Sequence, residues 1–179
     1  MPVSPLAPAA FPVLPVIDGV RFSAVAAGVR YQGRTDVMLA ELAEDTAIAG
    51  VFTRSATRSA PVLDCQAKNN APTGGRAAIL VNSGNSNAFT GSNGRDAVAR
   101  ICDAVAETLG LSPDRVFTSS TGVIGEPLPW DRITAKIADL RDTLAPDAME
   151  SAARAIMTTD TFPKGAATEV TIDGKTDRL

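Results

Sequence analysis

The chain has 179 residues, 45% of them hydrophobic but only 4% aromatic, so a core of domain size has to be built from Ala, Val, Ile and Leu. A formal net charge of −3 with dispersed basic residues removes the electrostatic case for nucleic acid or an anionic membrane as partner. Histidine is absent, which excludes any Ser-His-Asp or Cys-His relay built within the chain.

Residues 1–18 read as an extended N-terminal arm, restricted by Pro2, Pro5, Pro8, Pro12 and Pro15 and lacking the basic start of a signal peptide. Residues 19–179 read as a single α/β domain. Val20–Val25 alternates apolar with polar residues, and Val37–Leu42 is a more buried run. Ala47–Thr53 follows the turn residues Glu44-Asp45, which predicts a hairpin strand. A central strand is predicted at Ala77–Val81, entered through Thr73-Gly74-Gly75. No apolar run approaches transmembrane length, so a soluble cytoplasmic protein is expected.

The segment from Val81 to Gly91 carries Asn82, Asn85 and Asn87 with Gly84 and Gly91. Asparagine tolerates left-handed backbone and bonds to itself in turns, so one reading is a capped strand-to-helix connection. The other is a polar loop whose amides fix a substrate or its neighbours. The helix that follows is marked by Val98, Ile101, Cys102, Val105 and Leu109 at three- and four-residue spacing, with Arg100, Asp103 and Glu107 opposite and Gly110 as its stop. Cys102 falls on the apolar face and reads as core. Cys65 and Cys102 lack the spacing of a metal site, and a disulfide between them stays open.

A strand resumes at Val116-Phe117-Thr118 and runs into Thr118-Ser119-Ser120-Thr121-Gly122-Val123-Ile124-Gly125. A strand ending in such a turn can present a hydroxyl and a free backbone N–H in one direction, the geometry that binds an oxyanion in acyl transfer. Taken alone, the same residues also describe an ordinary strand end or helix cap. Without histidine, acyl chemistry needs another base, such as the free amine of an N-terminal threonine.

A second helix is predicted from about Pro129, with Ile133, Ile137, Leu140 and Leu144 on one face. A third starts near Pro146-Asp147 and is expected to bury Ala152, Ala153 and Ile156 beside Met149. It leads into Met157-Thr158-Thr159-Asp160-Thr161-Phe162-Pro163-Lys164. Pro163 explains a helix stop there, yet three threonines are poor helix formers. Hydroxyls and an ammonium are also what a site for an amino-acid carboxylate would offer. Glu169–Ile172, the turn Asp173-Gly174 and Lys175–Leu179 form a predicted hairpin. With nothing after it to cover it, that edge is expected to meet further chain or a partner. No phosphate cradle of the GxxxxGK[ST] or GxGxxG kind occurs. The element order gives mixed α/β layers.

Four stretches, in this order and spacing, resemble the ornithine acetyltransferase family, also called glutamate N-acetyltransferase, of arginine biosynthesis. They are Gly50–Thr53, Val81–Asn85, Thr118–Gly125, and Ala155–Asp160 with Pro163-Lys164. The resemblance covers the chain from about Gly19 onward. It implies a precursor that cuts itself before a threonine into an α chain and a β chain. The new N-terminal threonine of β is then the nucleophile, with its own amine as base. Acetyl passes from N2-acetylornithine to glutamate, and in bifunctional members also from acetyl-CoA as a co-substrate; no cofactor or metal is implied. By motif match, the Thr121 hydroxyl and the Gly122 N–H form the oxyanion hole, and Thr158 contacts substrate.

The implied fold is a layered α/β sandwich of the kind shared with self-cleaving aminopeptidases, completed by the β chain. The implied assembly is a cytoplasmic heterotetramer of two α and two β chains. The family's glycine-rich segment with a lysine, and the Ala-Thr cut after it, are not reached by Leu179, so the chain looks like an α subunit without the nucleophile. Ala167-Thr168 imitates the cut but lies too close to Thr158 and opens a predicted strand. Two other readings compete. One is a self-processing N-terminal-nucleophile amidase or aminopeptidase using the same oxyanion geometry. The other is a non-catalytic binding module, which explains the uncovered edge equally well.

Overall fold

Strands β1 (Val20–Val25), β2 (Val37–Leu42), β3 (Ala77–Asn85) and β4 (Val116–Val123) form one sheet in that spatial order. The description comes from a computed structural model and covers residues 2–69 and 74–178. Thr73, before the predicted central strand, and Leu179, at the end of the predicted hairpin, lie outside the described residues. β1 and β2 pair antiparallel, as do β2 and β3, with Leu39 opposite Leu80. β3 and β4 are parallel, with Leu80 opposite Thr118 and Ser83 opposite Thr121. A parallel pair needs a crossover, and the helix legible in the sequence provides it.

Among the described residues five α-helices accompany the sheet: α1 (Ala60–Lys68), α2 (Gly91–Leu109), α3 (Trp130–Thr134), α4 (Ile137–Asp142) and α5 (Met149–Ala155). Gly110, at φ +67°, takes the left-handed conformation that closes α2 and donates its N–H to the Ala106 carbonyl. One sheet face buries Val37, Leu39, Ala78, Leu80 and Val116 against Ala97, Val98, Ile101 and Val105 of α2 and Ile133, Ile137 and Leu140 of α3 and α4. On the other face α5 packs against β1 and β2. There Ile79, Val81 and Phe117 stay half-exposed and Ser119 exposed.

Several expectations need correction. Residues 47–53 form no strand, because both edges of β2 are already taken by β1 and β3; Val51 is fully exposed. The single helix expected from Pro129 is two, and Lys136 donates its N–H to the Ile133 carbonyl in the tightened turn between them. α5 ends at Ala155, so Ile156 is exposed and Ala153 half-buried, whereas Ala152 is buried as expected. β5 (Glu169–Ile172) and β6 (Lys175–Arg178) make the predicted hairpin. Its turn residues, Asp173 at φ +50° and Gly174 at φ +79°, are both left-handed, as a tight two-residue turn requires.

α1, which the sequence did not announce, blunts the outer edge of β4. Lys68 Nζ donates to the Val116 carbonyl at 2.9 Å, and Cys65 Sγ donates to the Thr118 carbonyl at 3.3 Å. Lys68 also pairs with Asp64 at 2.8 Å and reaches Cys102 Sγ at 3.3 Å. Both cysteines are free thiols, so the disulfide left open by the sequence is not formed. Among the described residues no acid, Cys or His cluster is placed to hold a metal, and no helix is long and apolar enough to cross a membrane.

Burial pushes the Cys102 thiol from 9.0 up to about 11. Between those values the unfolded thiol has ionised while the folded one keeps its proton. The unfolded state then binds fewer protons, so stability falls as pH rises through this window. Urea titrations of the complete protein should show a slope on the order of one kcal/mol per pH unit from this group. Cys102→Ala should make the slope shallower, with the raised Cys65 and Lys68 supplying what remains; a parent stability that stays level across the same window would contradict the assignment.

Candidate functional site

The site begins where β3 and β4 leave no room for a side chain between them. Gly84 (φ +98°) and Gly122 (φ +135°) stand opposite each other in the parallel ladder. A Cβ on Gly122 would lie 2.3 Å from the Gly84 carbonyl carbon and 2.6 Å from the Asn85 nitrogen. A Cβ on Gly84 would lie 2.8 Å from Arg30 Cβ and 3.2 Å from the Tyr31 ring. Only glycine fits either position. With that contact made, the ladder continues to the Asn85–Val123 pair. Thr121 and Gly122 therefore lie inside β4 and not in a turn, and the bend comes at Ile124–Glu126.

Strand alternation then decides what each group faces. The Ser83 N–H donates to the Asp36 carbonyl at 2.8 Å, so the Ser83 backbone is turned toward β2. Asn82 and Gly84 are turned toward β4, where Thr121 and its odd-numbered neighbours meet them. The even-numbered residues of β4 turn outward, as the Val116 and Thr118 carbonyls held by α1 demonstrate. The Gly122 N–H thus lies on the outer edge of β4. The Thr121 side chain, half-buried, shares the second sheet face with Ser83.

The three asparagines are buried and bonded internally. Asn82 donates to the Asn85 carbonyl at 2.9 Å and accepts from Ser120 Oγ at 2.6 Å. Asn85 donates to the Glu126 carbonyl at 3.0 Å and accepts the Asn87 N–H at 2.7 Å. Asn87 donates to the Gly94 carbonyl at 3.0 Å and accepts from Thr90 Oγ1 at 2.8 Å. These bonds fit the first of the two readings, a strand-to-helix connection held by its own amides, and they tie it to the bend after Gly122. The Gly125 N–H completes the join on the Ala88 carbonyl at 2.9 Å.

Thr158 enters from the other side. Ser83 Oγ donates to the Ala155 carbonyl at 2.7 Å, which fixes the end of α5 beside the strand position opposite Thr121. Arg34 Nη2 donates to the Met157 carbonyl, immediately before Thr158. The fold thereby brings Thr121, Gly122 and the half-buried Thr158 to one end of the sheet. Lys164, expected to offer its ammonium, donates to Asp160 Oδ1 at 2.6 Å, and that bond holds the Asp160 carboxyl below the usual carboxylate range.

Sequence reasoning missed Asp36. Its fully buried carboxylate accepts the N–H groups of Ala27 at 2.7 Å, Gly28 at 3.3 Å and Val29 at 2.7 Å. This fixes the loop that carries Arg30, Tyr31 and Arg34. The available signal was a lone acid at the entry to an apolar strand, preceded by Gly28 and Gly33.

A family model described as the ArgJ family matches residues 21–179. The chain is 70% identical over 173 residues to the arginine biosynthesis bifunctional protein ArgJ of Ruegeria pomeroyi, covering 97% of this chain and 42% of that protein. To the protein of the same name from Gluconobacter oxydans it is 52% identical over 179 residues, covering 100% of this chain and 42% of that one. It thus spans about two fifths of the length of these relatives. Among solved structures, arginine biosynthesis bifunctional protein ArgJ from Bacillus halodurans superposes with a TM-score of 0.80 at 31% identity, covering 90% of this chain and 84% of that one. Ornithine acetyltransferase from Mycobacterium tuberculosis, complexed with ornithine, gives a TM-score of 0.78 at 37% identity, covering 84% and 81%. The mixed α/β architecture is the one these structures share.

The glycine contact yields a direct expectation. Gly122→Ala must separate β3 from β4 and force alanine to φ +135°, a conformation that alone costs about 1–3 kcal/mol. The thermal midpoint of the complete protein should drop by several degrees and its activity should be lost. A variant with the parent midpoint would refute the close approach.

Proposed function

The chain belongs to the ArgJ family, and on that premise we propose that it is the α subunit of an acyltransferase of arginine biosynthesis. The enzyme moves acetyl from N2-acetylornithine to glutamate through an acetyl-enzyme on the N-terminal threonine of a β chain. The observation that carries this reading is the outward Gly122 N–H next to the Thr121 side chain, at the sheet end to which Thr158 is tied. The β-chain threonine hydroxyl, its proton taken by its own amine, attacks the acetyl carbonyl of N2-acetylornithine. The tetrahedral oxyanion accepts from the Thr121 hydroxyl and the Gly122 N–H. Collapse breaks the C–N bond and releases ornithine, whose leaving amine takes the proton back. The glutamate amine then attacks the acetyl-threonine ester, giving N-acetylglutamate and the free threonine.

The same hole serves acetyl-CoA as an alternative donor, with thiolate as leaving group, and the reaction uses no further cofactor. The assembly is a cytoplasmic heterotetramer of two α and two β chains cut from one precursor. Residues 1–18 are the arm and residues 19–179 the α part of a shared domain. The half-exposed Ile79, Val81 and Phe117 support a covering partner, as does the exposed Ile172 on a two-stranded hairpin too small to be stable alone. A hydrolytic amidase would use the same hole with water as acceptor. The structural relative complexed with ornithine favours transfer.

In the complete enzyme Thr121→Ala should lower turnover by about 10²–10³, the usual effect of removing one oxyanion donor, with little change in KM. Thr158→Val should act chiefly on KM for N2-acetylornithine or glutamate. Steady-state kinetics of the two variants checks both; near-normal turnover in a folded Thr121→Ala protein would remove the oxyanion assignment.

A further inference from the structure

We propose that Arg34 and Ser83 are positioning residues that clamp the Thr158 segment for substrate binding, a role resting on the reading of Thr158 as a substrate contact. The segment has little structure of its own. α5 is seven residues long and stops at Ala155, and no further helix or strand begins before Glu169. Its carbonyls at the helix end have no intrahelical partner. Two side chains from distant parts of the sequence hold one of them, at Ala155, and the carbonyl of Met157 just past the helix. Ser83 Oγ, fully buried, holds Ala155 at 2.7 Å, and the Arg34 guanidinium holds Met157. The Met157 carbonyl belongs to the peptide that ends at the Thr158 nitrogen, so fixing it fixes the start of the Thr158 residue.

Arg34 is itself held in place. Its Nε donates to the Thr35 carbonyl at 3.2 Å, and its guanidinium lies 4.4 Å from the centroid of the Tyr31 ring. That ring packs over Gly84, opposite Gly122. From the same loop Arg30 pairs with Glu126 at 2.6 Å, in the bend that follows Gly122. The Asp36 carboxylate fixes the loop backbone, and the Asp36 carbonyl takes the Ser83 N–H. One loop therefore bridges the oxyanion strand and the Thr158 segment, and Arg34 is its contact with the second. Asp160, further along the segment, is paired with Lys164, and Arg34 bonds a backbone carbonyl. This bond joins no two strands of the sheet; what it fixes is the backbone at the start of Thr158.

The test uses the complete, processed enzyme with Arg34→Met, Arg34→Lys, Ser83→Ala and Thr158→Val measured side by side. Arg34→Met should raise KM for N2-acetylornithine or glutamate about tenfold, as misplacement of a positioning contact does, while kcat stays within about twofold and the precursor is still cut. Arg34→Lys, which keeps one donor, should recover part of the loss, and Ser83→Ala should shift the same KM. If Thr158→Val raises KM and Arg34→Met does not, the clamp is wrong and the reading of Thr158 stands. If neither raises it, Thr158 is not a substrate contact and the clamp falls with it. A lower thermal midpoint and lower kcat in Arg34→Met, with unchanged KM and no recovery in Arg34→Lys, would mark Arg34 as structural and overturn the proposal.

Discussion

The approach of two backbones at Gly84 and Gly122 is the constraint on which the candidate site depends. Any side chain at Gly122 would overlap the Gly84 carbonyl carbon. Because none is there, the parallel ladder extends past Thr118, where strand propensity has run out, to Val123. That extension turns the Gly122 N–H outward and puts the Thr121 side chain on the face it shares with Ser83. Ser83 then reaches α5, so the contact between two glycines places β4 relative to the segment that leads to Thr158.

Around this contact the chain buries an unusual amount of polarity: Asp36, Asn82, Ser83, Asn85 and Asn87 are all nearly inaccessible. Burying such groups unpaired costs a few kcal/mol each, and here each has hydrogen-bond partners within the chain. Apolar residues could fill the same space but could not specify one arrangement of loops whose backbone groups need partners. Asp36 and the asparagines organise two loops, one on each side of the Gly84–Gly122 contact. The proposed oxyanion donors need such rigidity, since they must already be in place when charge develops.

What the sequence revealed was local. The 3.6-residue period of α2 with Gly110 after it, the alternation of β1, and Asp173-Gly174 between two short strands each carry their structure within a few residues. The failures were tertiary. Residues 47–53 look like a strand, but β2, with which a hairpin would pair them, already has both edges taken. α1 has little apolar periodicity, though Ser59 and Pro61 are an ordinary helix start, and its value lies in what Lys68 and Cys65 do for β4. Thr121, Gly122 and Thr158 were reachable only by resemblance, since hydroxyl residues beside glycine are ordinary turn chemistry. Arg34 was invisible because its partner, Met157, is 123 residues away.

The central claim is that this chain supplies the oxyanion donors while another chain carries the acetyl group. Mixing the complete enzyme with N2-acetylornithine alone traps the first half-reaction, and mass spectrometry of the separated chains then locates the label. The account predicts one acetyl group on the N-terminal threonine of the β chain and none on residues 1–179. An acetyl adduct on Thr121, or anywhere else in this chain, would contradict it.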